Sequence, residues 1–482
     1  MSSNESFEKL ARCAMAQAIA YRARRDTLPP RPLISPQELR SLFDTGLPER
    51  GLEGVEVLET LAAAAEHGLV GTTAPNFFAW VMGASHPVGV AAEWMVTAWG
   101  QNAGIYDTAP AAAVAEDVAS GWLLELLDLP RDSSIGFTTG ATMASTICLA
   151  VARSEVLRRL GFDLEREGLF TAPAIKVFLG EEAHSTIFSG LRFLGFGEND
   201  LVKIPADERG RMLSTALEAA LSEFEGPSIV VCQAGHINSG DFDPIASITA
   251  IAKAHGAWCH VDGAFGLWAR AVPHLRQLCA GVEHADSWTV DGHKWLQVPY
   301  DSGFAIVRDG EAHRRAMHMS ASYLSIGPGD ARSPSAYCPE LSRRARGFAV
   351  WAVIQALGRS GIQEMIARHC RCALHLRDLL APEPGISVLN EVVLNQLALA
   401  FDAGGGAEEG DQLTARVIAE MARENACFVE GAQWHGRKIL RISITSQRTD
   451  IDDIEALGTA ILHAWQRVQE QENTTPTDPA AK

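Results

Sequence analysis

Between about residues 70 and 365, short apolar runs alternate with helical patterns, and this alternation constrains the fold more than any other feature of the chain. Ile175–Leu179, Ser228–Cys232, Ala257–Val261, Ser287–Val290 and Phe304–Val307 are strand candidates. Between two of them, Ile245–His255 has helical spacing and stops at Gly256. Strand–helix alternation of this kind predicts an α/β layer with a mostly parallel sheet. Ahead of it, residues 5–25 and Val55–Glu66 have amphipathic helical spacing. Ser35-Pro36-Gln37-Glu38 carries the signature of a helix start, with a capping Ser, Pro at the first turn and Glu three residues on. After about residue 366 the pattern suits a smaller α+β domain. There Val393–Phe401 and Ile439–Ile444 are expected strands, and Asp411–Arg423 and Ile451–Gln469 expected helices. The expected organisation is therefore a helical segment over 1–70, a large domain over 71–365, a small domain over 366–472 and a disordered tail over 473–482.

Composition narrows the function. The formal net charge of -18 argues against nucleic acid or an anionic membrane surface as partner. Nine scattered cysteines without a Cys-x-x-Cys pair suit a reduced, cytoplasmic protein. His369, Cys370 and Cys372 lie close in sequence, but their spacing does not place ligands on one helix face, so no metal is expected. Glu5 and Glu8 precede any apolar run, which does not suit a signal peptide. The longest uncharged stretch, 133–152, is rich in Gly, Ser and Thr and makes a poor membrane span.

Four local features carry chemistry. Lys294 follows an apolar strand candidate within Asp291-Gly292-His293-Lys294-Trp295-Leu296. Lysine seldom sits among apolar neighbours unless it is paired or used, and a desolvated amine condenses readily with an aldehyde. The plain alternative is an amphipathic lysine with its head in solvent. Asp262 ends the strand of His260-Val261-Asp262-Gly263-Ala264, where α/β sheets place ligand contacts. A carboxylate there can keep a pyridinium nitrogen protonated, or simply cap a turn. The Gly136–Thr146 stretch is a Gly/Thr-rich turn opening a helix, so it offers backbone N–H groups to a phosphate. His184, after the strand candidate at Ile175, can stack on a flat ring or serve only as a turn residue.

The order of these features, with Asp262 and Lys294 separated by 32 residues, resembles the fold-type-I pyridoxal-phosphate enzymes, and among them the group II amino acid decarboxylases. That family includes aromatic amino acid, glutamate and diaminobutyrate decarboxylases. The resemblance runs from about Pro75-Asn76-Phe77-Phe78 to Leu440-Arg441-Ile442-Ser443, and is most specific at His293-Lys294-Trp295-Leu296 and His260-Val261-Asp262. It implies a homodimer with a shared active site that binds pyridoxal 5'-phosphate and decarboxylates an L-amino acid to the amine. It implies that Lys294 is the Schiff-base lysine, that Asp262 pairs with the pyridine nitrogen, and that His184 and Ala264 flank the ring. It further implies that Ala141 and Thr142 contact the phosphate with His293 beside it, that Trp80 and Arg441 meet substrate, and that Tyr323 protonates the substrate carbon.

The chain also departs from the family. His236, Ile237 and Asn238 stand where relatives carry hydroxyl side chains near the ring, and Asp291 replaces an Asn near the phosphate. Gly104 replaces a pocket aromatic, with Gln101, Asn102 and Tyr106 as polar neighbours. Other pyridoxal reactions share the Lys and Asp, so an aldehyde synthase, a lyase or an aminotransferase stays open, as does a non-catalytic cofactor-binding homologue.

Overall fold

The computed structural model describes residues 7–318 and 331–474. Seven strands form one sheet: β1 (Ser134–Thr138), β2 (Lys176–Gly180), β3 (Leu201–Ile204), β4 (Ser228–Gln233), β5 (Trp258–Asp262), β6 (Ser287–Asp291) and β7 (Gly303–Val307). Their order is β1-β7-β6-β5-β4-β2-β3, and only β7 runs antiparallel to its neighbours. Strands β1, β4, β5, β6 and β7 are buried throughout. That is why they read as continuous apolar runs: helices cover both faces of such a sheet, so no polar face survives in the pattern.

The mostly parallel α/β layer is as expected, and each strand candidate forms a strand. Two further strands appear. Residues 134–138 form β1, so part of the expected Gly/Thr-rich turn is strand and the turn itself shrinks to Thr139-Gly140. Strand β3 lies at the sheet edge with Lys203 exposed, which dilutes its apolar signal.

A second, antiparallel sheet contains β8 (Ile386–Val388), β9 (Gln396–Phe401), β10 (Glu430–Trp434) and β11 (Arg437–Ser443), in the order β10-β11-β9-β8. Its core includes Leu397, Leu399, Phe401, Leu440 and Ile442, packed against Leu376, Leu413 and Trp465 from three helices. One of these helices, Gly347–Leu380, bends at Gly358, whose φ of 61° is left-handed, and serves both cores. Val350 and Val353 pack under the large sheet, while Ala373 and Leu376 pack under the small one. The expected boundary at 365–366 falls inside this helix, and the last helix, Ile451–Thr474, extends into the expected tail.

A buried histidine ties these cores together next to the key lysine. Trp295 Nε1 donates to His369 Nδ1 at 2.9 Å, and His369 Nε2 lies 2.9 Å from the Ser446 carbonyl. Burial pushes the His369 pKa down to about 3, so the ring is neutral and can accept on one nitrogen while donating from the other. A buried group that lost its partner there would cost roughly 1–3 kcal/mol. Both ring nitrogens are therefore used in packing, and burial raises the Cys370 and Cys372 thiols to about 12 and about 11.

At the N-terminus, helices Phe7–Arg24, Pro36–Phe43 and Gly54–Glu66 form as expected, with the capping box at Ser35 and Glu38 complete. Phe7–Arg24 buries no residue, and Phe7, Ile19, Leu33, Leu47 and Leu52 are exposed.

Candidate active site

Parallel strands of an α/β sheet present their carboxyl ends to one crevice. Here the ends of β1, β2, β5 and β6 lead into Ala141, His184, Asp262 and Lys294 respectively. These residues line a single cavity of about 290 Å³, together with Thr142, Ala264 and His293. All seven residues expected from sequence to surround a cofactor are thus brought together.

The chemistry of the donors fits pyridoxal phosphate. Asp262 is buried, and the hydrogen bond it receives from the Ala264 N–H, at 3.2 Å, is to a neutral group. Burial pushes its pKa up, and the nearby His184 and Lys294 pull it partly back. A buried carboxylate of this kind is stabilised by a proton or cation placed before it, which a protonated ring nitrogen supplies. The helix Ala141–Arg158 starts in the same cavity; the Asp291 carboxylate takes the Ala141 N–H, and the N–H groups of Thr142 and Met143 that follow face an anion site. A side chain on Gly140 would fill this cradle: its Cβ would fall 2.9 Å from His293 Cε1.

Asp291, flagged in the sequence as a departure, organises the site. Its Oδ1 accepts from the Ala141 N–H at 2.6 Å, and its Oδ2 lies 3.0 Å from Lys294 Nζ. The carboxylate thereby gains the cationic partner and the helix-start donor that its burial demands. His293 sits 3.7 Å from the same carboxylate and packs on Tyr300, with ring centroids 4.5 Å apart. His184 caps the helix Ser185–Phe193 through Nδ1, which accepts from the Thr186 N–H at 3.4 Å and lies 2.7 Å from Thr186 Oγ1. Burial lowers the His184 pKa, favouring a neutral ring.

An outer cavity of about 630 Å³ adjoins this one and shares His184, Ile237 and Lys294 with it. Trp80 and Arg441 line it as expected. Trp80 takes a left-handed φ of 53° and packs near Phe428, with ring centroids 5.4 Å apart. Arg441 is buried; its Nη1 donates to Asn238 Oδ1 at 3.2 Å, while its Nε has no hydrogen-bond partner. Burial lowers its pKa, as expected for a guanidinium short of counter-charge.

Four further residues singled out in the sequence lie elsewhere in this chain. Gln101, Asn102, Gly104 and Tyr106 line neither cavity of this chain. Three of them meet the 333–343 segment instead: Asn102 Oδ1 accepts from the Arg343 N–H, the Gly104 carbonyl accepts from the Ser335 N–H, and Tyr106 N–H donates to Ser333 Oγ. Gly at 104 answers to packing, because a Cβ there would sit 1.9 Å from the Leu341 carbonyl oxygen. Tyr323 lies outside the described residues. Sequence reasoning also missed Trp434 and His435, which enter the outer cavity from the β10–β11 turn.

The chain is similar to known proteins in sequence and in fold. The family model for the pyridoxal-dependent decarboxylase conserved domain matches residues 36–401. Tryptophan decarboxylase 1 of Oryza sativa subsp. japonica is 25% identical over 446 residues, covering 87% of this chain and 86% of that protein. The L-2,4-diaminobutyrate decarboxylase of Rhizobium meliloti is 28% identical over 439 residues, covering 88% and 85%. The crystal structure of Oryza sativa TDC with PLP and tryptamine superposes with a TM-score of 0.90 at 22% identity, covering 97% of this chain and 99% of that one.

Proposed function

The chain belongs to the pyridoxal-dependent decarboxylase family, and from that premise we propose how its residues remove CO2 from an amino acid. It is a pyridoxal-phosphate-dependent amino acid decarboxylase. One observation carries the assignment of roles: Lys294, Asp262, His184 and the start of the helix Ala141–Arg158 meet in one cavity that adjoins a buried arginine.

When bound, pyridoxal phosphate supplies an aldehyde reactive toward amines and a protonated ring that draws off the electron pair left by CO2. Lys294 is the amine for that aldehyde, oriented by Asp291 at 3.0 Å. Asp262 holds a proton on the ring nitrogen. Neutral His184 offers one flat face for stacking, and Ala264, being small, leaves room on the other. Thr142 receives the phosphate at the helix start, with Ala141, whose N–H Asp291 holds, and His293 beside it. Arg441 supplies the counter-charge for the substrate carboxylate, and Trp80 walls the outer cavity. Arg441 would thereby hold the scissile carboxylate in one orientation, as bond cleavage requires.

The proton that replaces CO2 is assigned to Tyr323 from the family resemblance of Ala321-Ser322-Tyr323-Leu324. Tyr323→Phe should lower amine formation by about 10²–10⁴-fold, the range for a positioned proton donor, and raise oxygen consumption. A panel of amino acids assayed for CO2, amine and peroxide measures this. Unchanged amine formation by the variant would pass the role to another acid, such as His184. Oxygen uptake matching CO2 release in the native protein would make it an aldehyde synthase.

A homodimer with a shared active site is supported by the exposed apolar residues of the N-terminal helices and by exposed Trp94, Met95 and Trp99 on the helix Pro87–Trp99. Sedimentation should give about twice the 51.9 kDa chain mass, and a monomer would refute the arrangement. Nine unlinked cysteines support a reducing, cytoplasmic location. Recovery in an oxidising compartment on cell fractionation would contradict that. Among the described residues, no helix is long and apolar enough to cross a membrane.

A further inference from the structure

Once the aldehyde takes Lys294 and the substrate carboxylate takes Arg441, one charged side chain lining the outer cavity has no role: Glu182. It is the only carboxylate among that cavity's lining residues. It sits two residues before His184, and two donors from the small domain hold it in place. Trp434 Nε1 donates to its Oε2 at 3.0 Å, and His435 Nε2 lies 2.6 Å from its Oε1. Among the described residues, no Lys or Arg forms an ion pair with it; His236 approaches to 4.0 Å but leans closer to Asp243, at 3.3 Å.

The backbone shows that this arrangement is imposed. Trp434 pairs with Arg437, so His435 and Gly436 form a two-residue hairpin turn, with φ values of 49° and 73°. Both residues are left-handed, a turn that favours Asn-Gly, so His at the first position is strained. The strained His435 is the residue whose imidazole meets Glu182. The result is an oriented carboxylate, mostly buried, with capacity for further donors and no neutralising Lys or Arg.

We propose that Glu182 is a specificity-determining residue that selects amino acids whose side chain ends in an ammonium group, a reading that rests on the decarboxylase function above. Such a substrate carries a cation for Glu182 and a carboxylate for Arg441. An acidic side chain meets repulsion at Glu182, and a neutral one leaves the half-satisfied carboxylate without a new partner.

The test uses the holoenzyme and pairs of amino acids matched in shape but not in charge: L-2,4-diaminobutyrate against L-norvaline, and L-ornithine against L-norleucine. The amino-terminated member of at least one pair should be favoured in kcat/KM by about 10- to 100-fold, the scale of one charge-assisted contact. Glu182→Gln should bring that ratio close to one while leaving the neutral member within about threefold of native. Glu182→Asp, which keeps the charge, should retain part of the preference. The proposal is overturned if the native enzyme prefers the neutral members or L-glutamate. It is equally overturned if Glu182→Gln lowers both members of a pair alike, which would make Glu182 only a tie between the domains. CO2 release from other amino acids but from none of the amino-terminated ones refutes this inference and spares the decarboxylase reading; no CO2 from any amino acid refutes both.

Discussion

Lys294→Ala should reduce CO2 release by about 10⁴-fold or more, at least the upper end of what one positioned proton-transfer group contributes. The loss is this large because the residue is proposed both to bind the aldehyde and to move protons when the product amine departs. The fold should survive. The Lys294 side chain is partly exposed, and without it Asp291 keeps the Ala141 N–H and the adjacent His293. The variant should therefore still bind pyridoxal phosphate non-covalently, through Asp262 and the start of Ala141–Arg158, and lose it on prolonged dialysis. CO2 release and the visible absorbance of the cofactor measure the two halves of this prediction. Residual activity within tenfold of native would remove Lys294 from the chemistry.

Asp262→Asn should cost about 10²–10³ in rate, the usual price of losing one preorganised electrostatic partner. The amide is close to the carboxylate in shape and can keep the hydrogen bond from the Ala264 N–H, so stability should change little. What it cannot do is stabilise a proton on a ring nitrogen as a negative charge does. Cofactor bound to the variant should accordingly lose the ring proton at lower pH than in the native protein, visible in its absorbance. Near-native turnover would reduce Asp262 to a turn residue at the end of β5.

Much of this site was legible in the sequence because its parts are local. Asp262 and Lys294 each stand at or just beyond the end of an apolar strand, and the start of Ala141–Arg158 announces itself by Gly and Thr followed by an apolar helix. Elements without such contrast escaped. Strand β10 alternates between half-buried and exposed positions at a sheet edge, and β8 has three residues, too few for a pattern. The outer cavity was the least legible part. Glu182 and His435 are 253 positions apart and meet only because the hairpin of the small sheet folds onto the loop after β2. Likewise Gly104 carries no local sign that the Leu341 backbone presses against it. That contact is a packing reason for glycine where relatives carry an aromatic.

The identity of the cofactor lysine underlies every role assigned to the site, and borohydride reduction followed by peptide mass mapping tests it most directly. The chain has seven lysines, at positions 9, 176, 203, 253, 294, 438 and 482, and of these Lys294 lines both cavities. Reduction of the yellow holoenzyme should fix one pyridoxyl group on the peptide containing Lys294, with none on the other six. A pyridoxyl group on any other lysine instead, or none on the Lys294 peptide of an active preparation, would contradict the site described above.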